Sequence, residues 1–181
     1  ATGIRNTAVG FKALQANYSG GFNVGVGWGA LEDCENNHNT AVGHHCLHKL
    51  SSGYENTAIG SNAAYNVTTG LRTIAIGTQS LNQVTTGNDN IGIGVQAGYD
   101  ITTGQYNTAI GSSTLMEGTT GDSNTVIGSS STITATTAEK NSGLGVSTFA
   151  DLTTGSSNTA IGFNACNSLF CIPVLFFISG S

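Results

Sequence analysis

Six histidine and cysteine side chains, which can bind a metal or act as nucleophiles, lie within residues 34–48. They are Cys34, His38, His44, His45, Cys46 and His48. Imidazole and thiolate are ligands of zinc, so a metal site is one interpretation of this cluster. The run of residues 44–48 lacks the recurring ligand spacing of zinc fingers, however. We therefore interpret the cluster as a solvated histidine patch and predict no metal site and no cofactor.

Acid–base or nucleophilic catalysis has little support in the chain. The carboxylates that share one position of the repeat described below are Asp33, Asp100, Glu117 and Asp151. A catalytic pair of carboxylates must face each other across a cleft, and the sequence gives no sign of one. All histidines lie within residues 38–48, so a Ser-His-Asp arrangement would have to form in that one region. We predict no catalytic residues and no enzymatic activity.

Composition excludes several other classes of protein. Only 8% of the residues are charged, against about 25% in a typical soluble domain. The formal net charge of −5 provides no basic face for nucleic acid. Gly contributes 26 residues and Pro only 1, and Thr, Ser and Asn supply most of the polarity. This composition is typical of neither a charged disordered tail nor a membrane protein.

One phrase, N-T-A-I-G or a close variant, recurs along the whole chain. We call its last residue the repeat glycine and count positions from it, so that −1 is the residue before it. The repeat glycines are Gly10, Gly27, Gly43, Gly60, Gly77, Gly94, Gly111, Gly128, Gly145 and Gly162. Successive spacings are 17, 16 and then 17 seven times, with the single deletion near residues 36–37. The chain is therefore a tandem repeat.

Three columns of the aligned repeats predict the fold. Position −1, the aliphatic column, is Val, Ile or Leu in every repeat, and position −2, the small column, is mostly Ala or Gly. Position −4, the Asn column, is interrupted by Thr73 alone; its members are Asn6, Asn23, Asn39, Asn56, Asn90, Asn107, Asn124, Asn141 and Asn158. A unit of 17 residues is too short for a helix–turn–helix repeat, and Gly, Thr, Ile and Asn favour strands and turns. We predict an all-β β-solenoid (a parallel β-helix or β-roll) of about ten 17-residue coils.

Stacking of the coils leads to further expectations. The aliphatic column should form a buried ridge, and the Asn column should form a ladder of amide hydrogen bonds. The glycine after each Thr pair, as in Gly70, Gly87 and Gly104, should supply a corner with positive φ. With an advance of about 4.8 Å per coil, the rod would be on the order of 50 Å long.

Both faces of the strand are uncharged, which predicts that both are covered. A slim solenoid covers only its inner face. We therefore expect the small column to pack against another subunit, with a parallel trimer as the favoured assembly. The alternative is a monomer with a flat, weakly polar outer face.

The repeats resemble those of a known group of proteins. Residues 56–60, 107–111 and 158–162 read N-T-A-I-G. The longer pattern, G-x-x-N-T-A-I-G-x-x-A-L-x-x-x-T-T-G, resembles repeats of tail-fibre-like proteins of bacteria, phages and large algal viruses. The phrase N-x-x-A-I-G is similar to head repeats of trimeric autotransporter adhesins, although the period of 17 is longer here. The resemblance implies a surface-exposed fibre, trimeric or filamentous, used for attachment or as a shaft.

The last residues depart from the repeat. We divide the chain into a solenoid, residues 1–165, and an apolar tail, residues 166–181. The tail's longest apolar run, residues 170–178, is too short to span a bilayer as a helix. It is expected to cap the solenoid or to connect one subunit to the next, and a remnant of a signal or anchor is the third interpretation. Cys166 and Cys171 are a candidate disulfide pair.

Two N-glycosylation sequons, at Asn17 and Asn66, fall near the Thr corner, where we expect exposed side chains. Taken together, the features favour a structural subunit of an extracellular or virion-surface fibre. A multivalent adhesin that engages surface glycans is the alternative, and an ice-binding solenoid is a third candidate. The expected partners are copies of the chain itself and surface glycans. Nucleic-acid binding and a membrane span are not expected.

Overall fold

The repeats stack in register because each strand pairs with the strand one repeat further along. A computed structural model describes residues 3–117, 120–133, 136–150, 152 and 155–166. Its strands are β1 (Thr7–Val9), β2 (Val24–Val26), β3 (Thr40–Val42), β4 (Thr57–Ile59), β5 (Ile74–Ile76), β6 (Ile91–Ile93), β7 (Thr108–Ile110), β8 (Thr125–Ile127), β9 (Ser142–Leu144) and β10 (Thr159–Ile161). They form one 10-stranded sheet in sequence order, and every adjacent pair is parallel.

The predicted all-β, parallel β-solenoid is confirmed, and the described residues contain no helix. The intervals between the 10 successive strands are about nine turns of 17 residues each. Ala58, for example, pairs with Ala75, and Ile59 pairs with Ile76. Each repeat position is therefore placed directly over itself in the next coil.

The segment between strands is a tight turn built from left-handed residues. In nearly every coil, the residues at positions −5, +2 and +4 have positive φ, as in Glu55, Asn62 and Ala64. The described non-glycine residues with positive φ include no Val, Ile or Thr. Branched Cβ atoms are the least tolerant of this conformation, which explains their absence from the described residues with positive φ.

The expected role of the glycine after each Thr pair was wrong. The repeat glycine takes the positive φ, for example 135° at Gly60 and 130° at Gly77, whereas Gly70, Gly87 and Gly104 do not. Among the described glycines that follow a Thr pair, Gly155 alone has a positive φ. The corner glycines are needed for space instead, because a Cβ at Gly70 would lie 2.8 Å from the carbonyl oxygen of Gly87 in the next coil.

The inner and outer faces of the strand are the reverse of those we predicted. The small column points inward: Ala41, Ala58, Ala75 and Ala109 are fully buried. The aliphatic column points outward, and Ile59 and Ile76 expose 41% and 36% of their surface. Alternation along a strand separates the two faces but does not determine which of them is inside, and side-chain size alone predicts the wrong one here.

Large side chains for the core come from the opposite wall of the coil, at positions +4 and +7. Leu47, Leu81 and Leu115 represent the first set, and Leu50, Val67 and Ile101 the second; all are buried. The coil is too thin to place another large side chain opposite them. A Cβ added to Gly143 would lie 2.8 Å from the ring of Phe149. The small column therefore provides the space that the leucines fill, since interiors are close-packed.

The Asn column runs through the core and satisfies buried backbone groups. The Oδ1 of Asn90 accepts from the backbone N–H of Asn107 at 3.0 Å and from its Nδ2 at 3.2 Å. The Nδ2 of Asn107 also donates to the corner carbonyl of Gly121 at 2.8 Å. Equivalent bonds join the other neighbouring members of the predicted set, from Asn6–Asn23 to Asn141–Asn158. One side chain thus links its own strand, the neighbouring strand and the corner.

Thr73 interrupts this ladder. Its backbone N–H still donates to the Oδ1 of Asn56 at 2.8 Å, but its own Oγ1 is buried and has no hydrogen-bond partner. A threonine also offers no amide oxygen to Asn90 in the next coil. A buried hydroxyl without a partner costs about 1–3 kcal/mol, so this coil carries a local defect.

Repairing the defect should stabilise the rod. We expect Thr73→Asn to raise the free energy of unfolding by about 1 kcal/mol, because the new amide regains the bonds that other coils make. The reciprocal substitution, Asn107→Thr, should lower it by about 3 kcal/mol, since it breaks several buried bonds at once. Urea denaturation followed by circular dichroism measures both. Equal shifts in the same direction would contradict the ladder's role.

Candidate functional site

An apolar ridge follows the outside of the sheet along the whole rod. We call the outward residues of the strands, at positions −1 and −3, the strand face. Its most exposed aliphatic members are Val9, Val42, Ile59, Ile74, Ile76, Ile93, Ile127, Leu144 and Ile161. Position −1 is aliphatic in every coil, and neither position carries a charged residue. At a strand spacing of about 4.8 Å the ridge is continuous.

Such a face differs from the scattered apolar residues of an ordinary surface. Contiguous exposed apolar patches mark sites of interaction, whereas single exposed side chains are normal. The flanking residues at position −3 are mainly Thr, as in Thr40, Thr57 and Thr108. The strand face is therefore a long, uncharged surface that can pack against another flat, apolar surface.

Aromatic rings form a second exposed surface on the first coils. Phe11 and Trp28 stack with ring centroids 6.2 Å apart, and Trp28 stacks on His44 at 4.9 Å. These three residues occupy position +1 in successive coils. His45 lies 4.2 Å from the Trp28 ring, and Tyr65 stacks on His48 at 5.1 Å. We call this set of rings the aromatic ladder.

A surface groove of about 330 Å³ opens at one end of the aromatic ladder. It is lined by His44, His45, Asn62, Tyr65, Asn66, Gln79 and Asn82. Side-chain amides both donate and accept hydrogen bonds, and the tyrosine ring offers an apolar wall. The groove therefore has the mixed polar and aromatic lining that suits a polyhydroxylated ligand.

The predicted histidine patch is divided by the structure into two parts. His38 stacks on Phe22 at 4.9 Å, whereas His44, His45 and His48 belong to the aromatic ladder. The pKa of His45 is lowered by burial and by the neighbouring His48 and His44. The lowered pKa favours a neutral imidazole, which can accept a hydrogen bond or bind a cation.

Sequence reasoning missed Glu32, which lies beside two of these histidines. Its Oε2 is 3.5 Å from the Nδ1 of His48, and one donor atom from each of Glu32, His45 and His48 lies within 4.8 Å of the other two. Lys12 donates to Oε1 at 2.8 Å, and this bond lowers the pKa of the Glu32 carboxyl. The signal was present in the sequence, because Glu32 and His48 both occupy position +5 in successive coils.

The cysteines of the cluster lie in the core rather than at the surface. Cys34 and Cys46 are free and fully buried. Burial raises the pKa of the Cys46 thiol to about 12 and also raises that of Cys34. Both thiols are therefore poor nucleophiles and poor ligands. Cys166 is disulfide-bonded, and Cys171, its predicted partner, lies outside the described residues.

The two sequons differ in exposure, contrary to the expectation that both would be accessible. Asn17 occupies position +7, an inward column, and both of its side-chain amide atoms are buried without a hydrogen-bond partner. Asn66 is half-buried; its Oδ1 accepts from Lys49 and its Nδ2 donates to Gln83. The Asn17 amide is therefore inaccessible to glycosylation in the folded chain.

Of the carboxylates that share position +6, Asp100 and Glu117 belong to adjacent coils, whereas Asp33 lies four repeats before Asp100. Asp33 and Glu117 are exposed, and burial raises the pKa of Asp100. Asp151 lies outside the described residues, as does most of the tail assigned to residues 166–181.

Comparisons with protein-family models, with curated proteins and with solved structures found no match. Among the described residues, no helix is long and apolar enough to cross a membrane.

Proposed function

We propose that the chain is a structural, non-catalytic subunit of an extracellular or virion-surface fibre, and that it associates with copies of itself through the strand face. The observation that carries this proposal is the aliphatic column, which is aliphatic in every repeat and exposed in most coils, with Val26 and Ile110 half-buried. The predicted role of the small column as the interface is withdrawn, because that column is buried inside each chain.

The energetics favour association of several rods. Complete burial of an exposed aliphatic side chain contributes about 1.5–3 kcal/mol. Residues such as Ile59 and Ile93, which expose 41% and 37% of their surface, would contribute about 1 kcal/mol each. Summed over the coils, this contribution is comparable with the cost of association, about 4–15 kcal/mol. A closed trimer offsets the free-energy cost of association best, because each strand face is then buried against two others.

Parallel rods of this kind can contact each other along their whole length, because their coils have the same spacing. The strands of every rod rise by the same spacing, so the ridge of one rod meets the ridge of its neighbour in every coil. The absence of charge at positions −1 and −3 removes repulsion between identical faces. The disulfide at Cys166 is consistent with an oxidising, extracellular environment.

A pair of matched variants tests this interface. Ile93→Asp with Leu144→Asp places charges on the strand face, and we expect sedimentation velocity to show monomers where the unmodified chain sediments as trimers. The control is Val95→Asp with Val146→Asp, which alters exposed aliphatic residues of the same coils at position +1. The control should remain trimeric. Assembly that survives Ile93→Asp with Leu144→Asp would overturn the proposal, as would an unmodified chain that stays monomeric.

Electron microscopy of the unmodified chain tests the fibre itself. Filaments much longer than about 50 Å, the length of one rod, would support end-to-end assembly and a connecting role for residues 166–181. Discrete short rods would instead support a capping role for those residues and would weigh against a continuous filament.

The groove beside Tyr65 favours a second function, that of a multivalent adhesin that binds glycans. Its amide and aromatic lining is suited to sugars, and assembly of several rods would multiply the sites. We expect Tyr65→Ala to abolish binding on a glycan array. Tyr106→Ala, which alters an exposed tyrosine outside the groove, should leave binding unchanged. A chain that binds no glycan would rule out this second function.

A further inference from the structure

We propose that Glu32, His45 and His48 form a binding site for a divalent transition-metal ion, with zinc as the representative ion. The site would join the second and third coils of the rod. It is independent of the proposed fibre function, because none of the three residues belongs to the strand face.

The stacking of the coils brings the ligands together. Glu32 and His48 occupy the same position, +5, in successive coils, and parallel pairing sets one above the other. The Oε2 of Glu32 lies 3.5 Å from the Nδ1 of His48. His45 comes from the same coil as His48, three residues earlier. Two imidazoles and a carboxylate are a donor set that zinc uses in open sites, with water in the fourth position.

Gly29 provides the space in which these donors meet. It occupies position +2, where most other coils carry a longer side chain such as Lys12, Gln79 or Gln96. A Cβ at Gly29 would lie 3.0 Å from the Nε2 of His45 and 3.2 Å from the Oε2 of Glu32, and it would collide with the Cδ2 of His45. The missing side chain therefore lets the His45 ring lean across the preceding coil towards Glu32.

The distances are close to those that zinc requires. Bonds of about 2.0–2.1 Å in a tetrahedral site place neighbouring donor atoms about 3.3 Å apart. The three donor atoms already lie within 4.8 Å of one another, so side-chain rotations that move them by at most about 1.5 Å complete the site. All three residues are half-buried, which limits the competition from bulk water.

Neighbouring groups hold the ligands in place. The His45 ring lies against Trp28 and His48, and the His48 ring stacks on Tyr65. Lys12 binds only the Oε1 of Glu32, which leaves Oε2 on the side of the histidines. Such outer contacts orient imidazole and carboxylate ligands in metal sites.

Calorimetric titration of the folded chain with Zn²⁺ tests the site. We expect saturable binding of one ion per chain, and an affinity lowered by about 10–100-fold or more in Glu32→Gln and in His48→Gln, because loss of a direct ligand costs at least as much as loss of an outer contact. His38→Gln, which alters a histidine stacked on Phe22 outside the site, should bind Zn²⁺ like the unmodified chain.

A third variant tests the geometry without removing a ligand. Gly29→Ala should weaken Zn²⁺ binding because its Cβ fills the space between His45 and Glu32. The backbone should tolerate it, since non-glycine residues such as Asn62 adopt a similar φ, 54°, at the same position. Circular dichroism checks that each variant is folded. The absorption spectrum of bound Co²⁺ should indicate tetrahedral coordination in the unmodified chain and be lost in His48→Gln.

The result that would overturn the site is the absence of saturable Zn²⁺ binding to the unmodified chain. Equal affinities in the unmodified chain, Glu32→Gln and His48→Gln would overturn it as well, because binding would then depend on other groups.

Discussion

The rod depends on the requirement that every buried backbone polar group has a partner in a coil that is only a few residues wide. Each strand has three residues, so strand pairing alone leaves many groups of the coil without partners. Backbone bonds between coils satisfy many of these groups, as from Leu47 N–H to the carbonyl of Ala63. The Asn column adds partners in the core: one amide binds the next coil's backbone and amide as well as a corner carbonyl. A line of such bonds, interrupted at Thr73, holds the flat coil closed and fixes the spacing of one coil above the next.

The thinness of the coil accounts for where small and large side chains stand around it. The strand lies so close to the opposite wall that only Ala, Gly or occasionally Val fits on its inner side, while the leucines at position +4 fill the interior. The larger aliphatic residues must then face outward. Because every position is repeated in each coil, the outward aliphatic residues form a ridge along the whole rod. The proposed association of rods depends on that ridge.

The second and third coils show what happens when individual repeats depart from the pattern. Gly29 and His45 share position +2, and Glu32 and His48 share position +5, next to the single deletion in the repeat. Stacking converts these departures into one compact group of donor atoms. A solenoid can thus build a local site without a cleft, by changing the same few positions in two adjacent coils.

The sequence by itself determined the period, the parallel stacking and the alignment of the Asn column, because a fixed repeat places each residue above its equivalent whatever the details of the coil. The faces of the strand were decided only by the tertiary structure. Alternation separates Ala58 from Ile59, but the depth of the coil and the volume of the leucines opposite determine which one is buried. The tertiary structure also decided the role of the corner glycines and the approach of His45 to Glu32, because both depend on the distance between atoms of neighbouring coils.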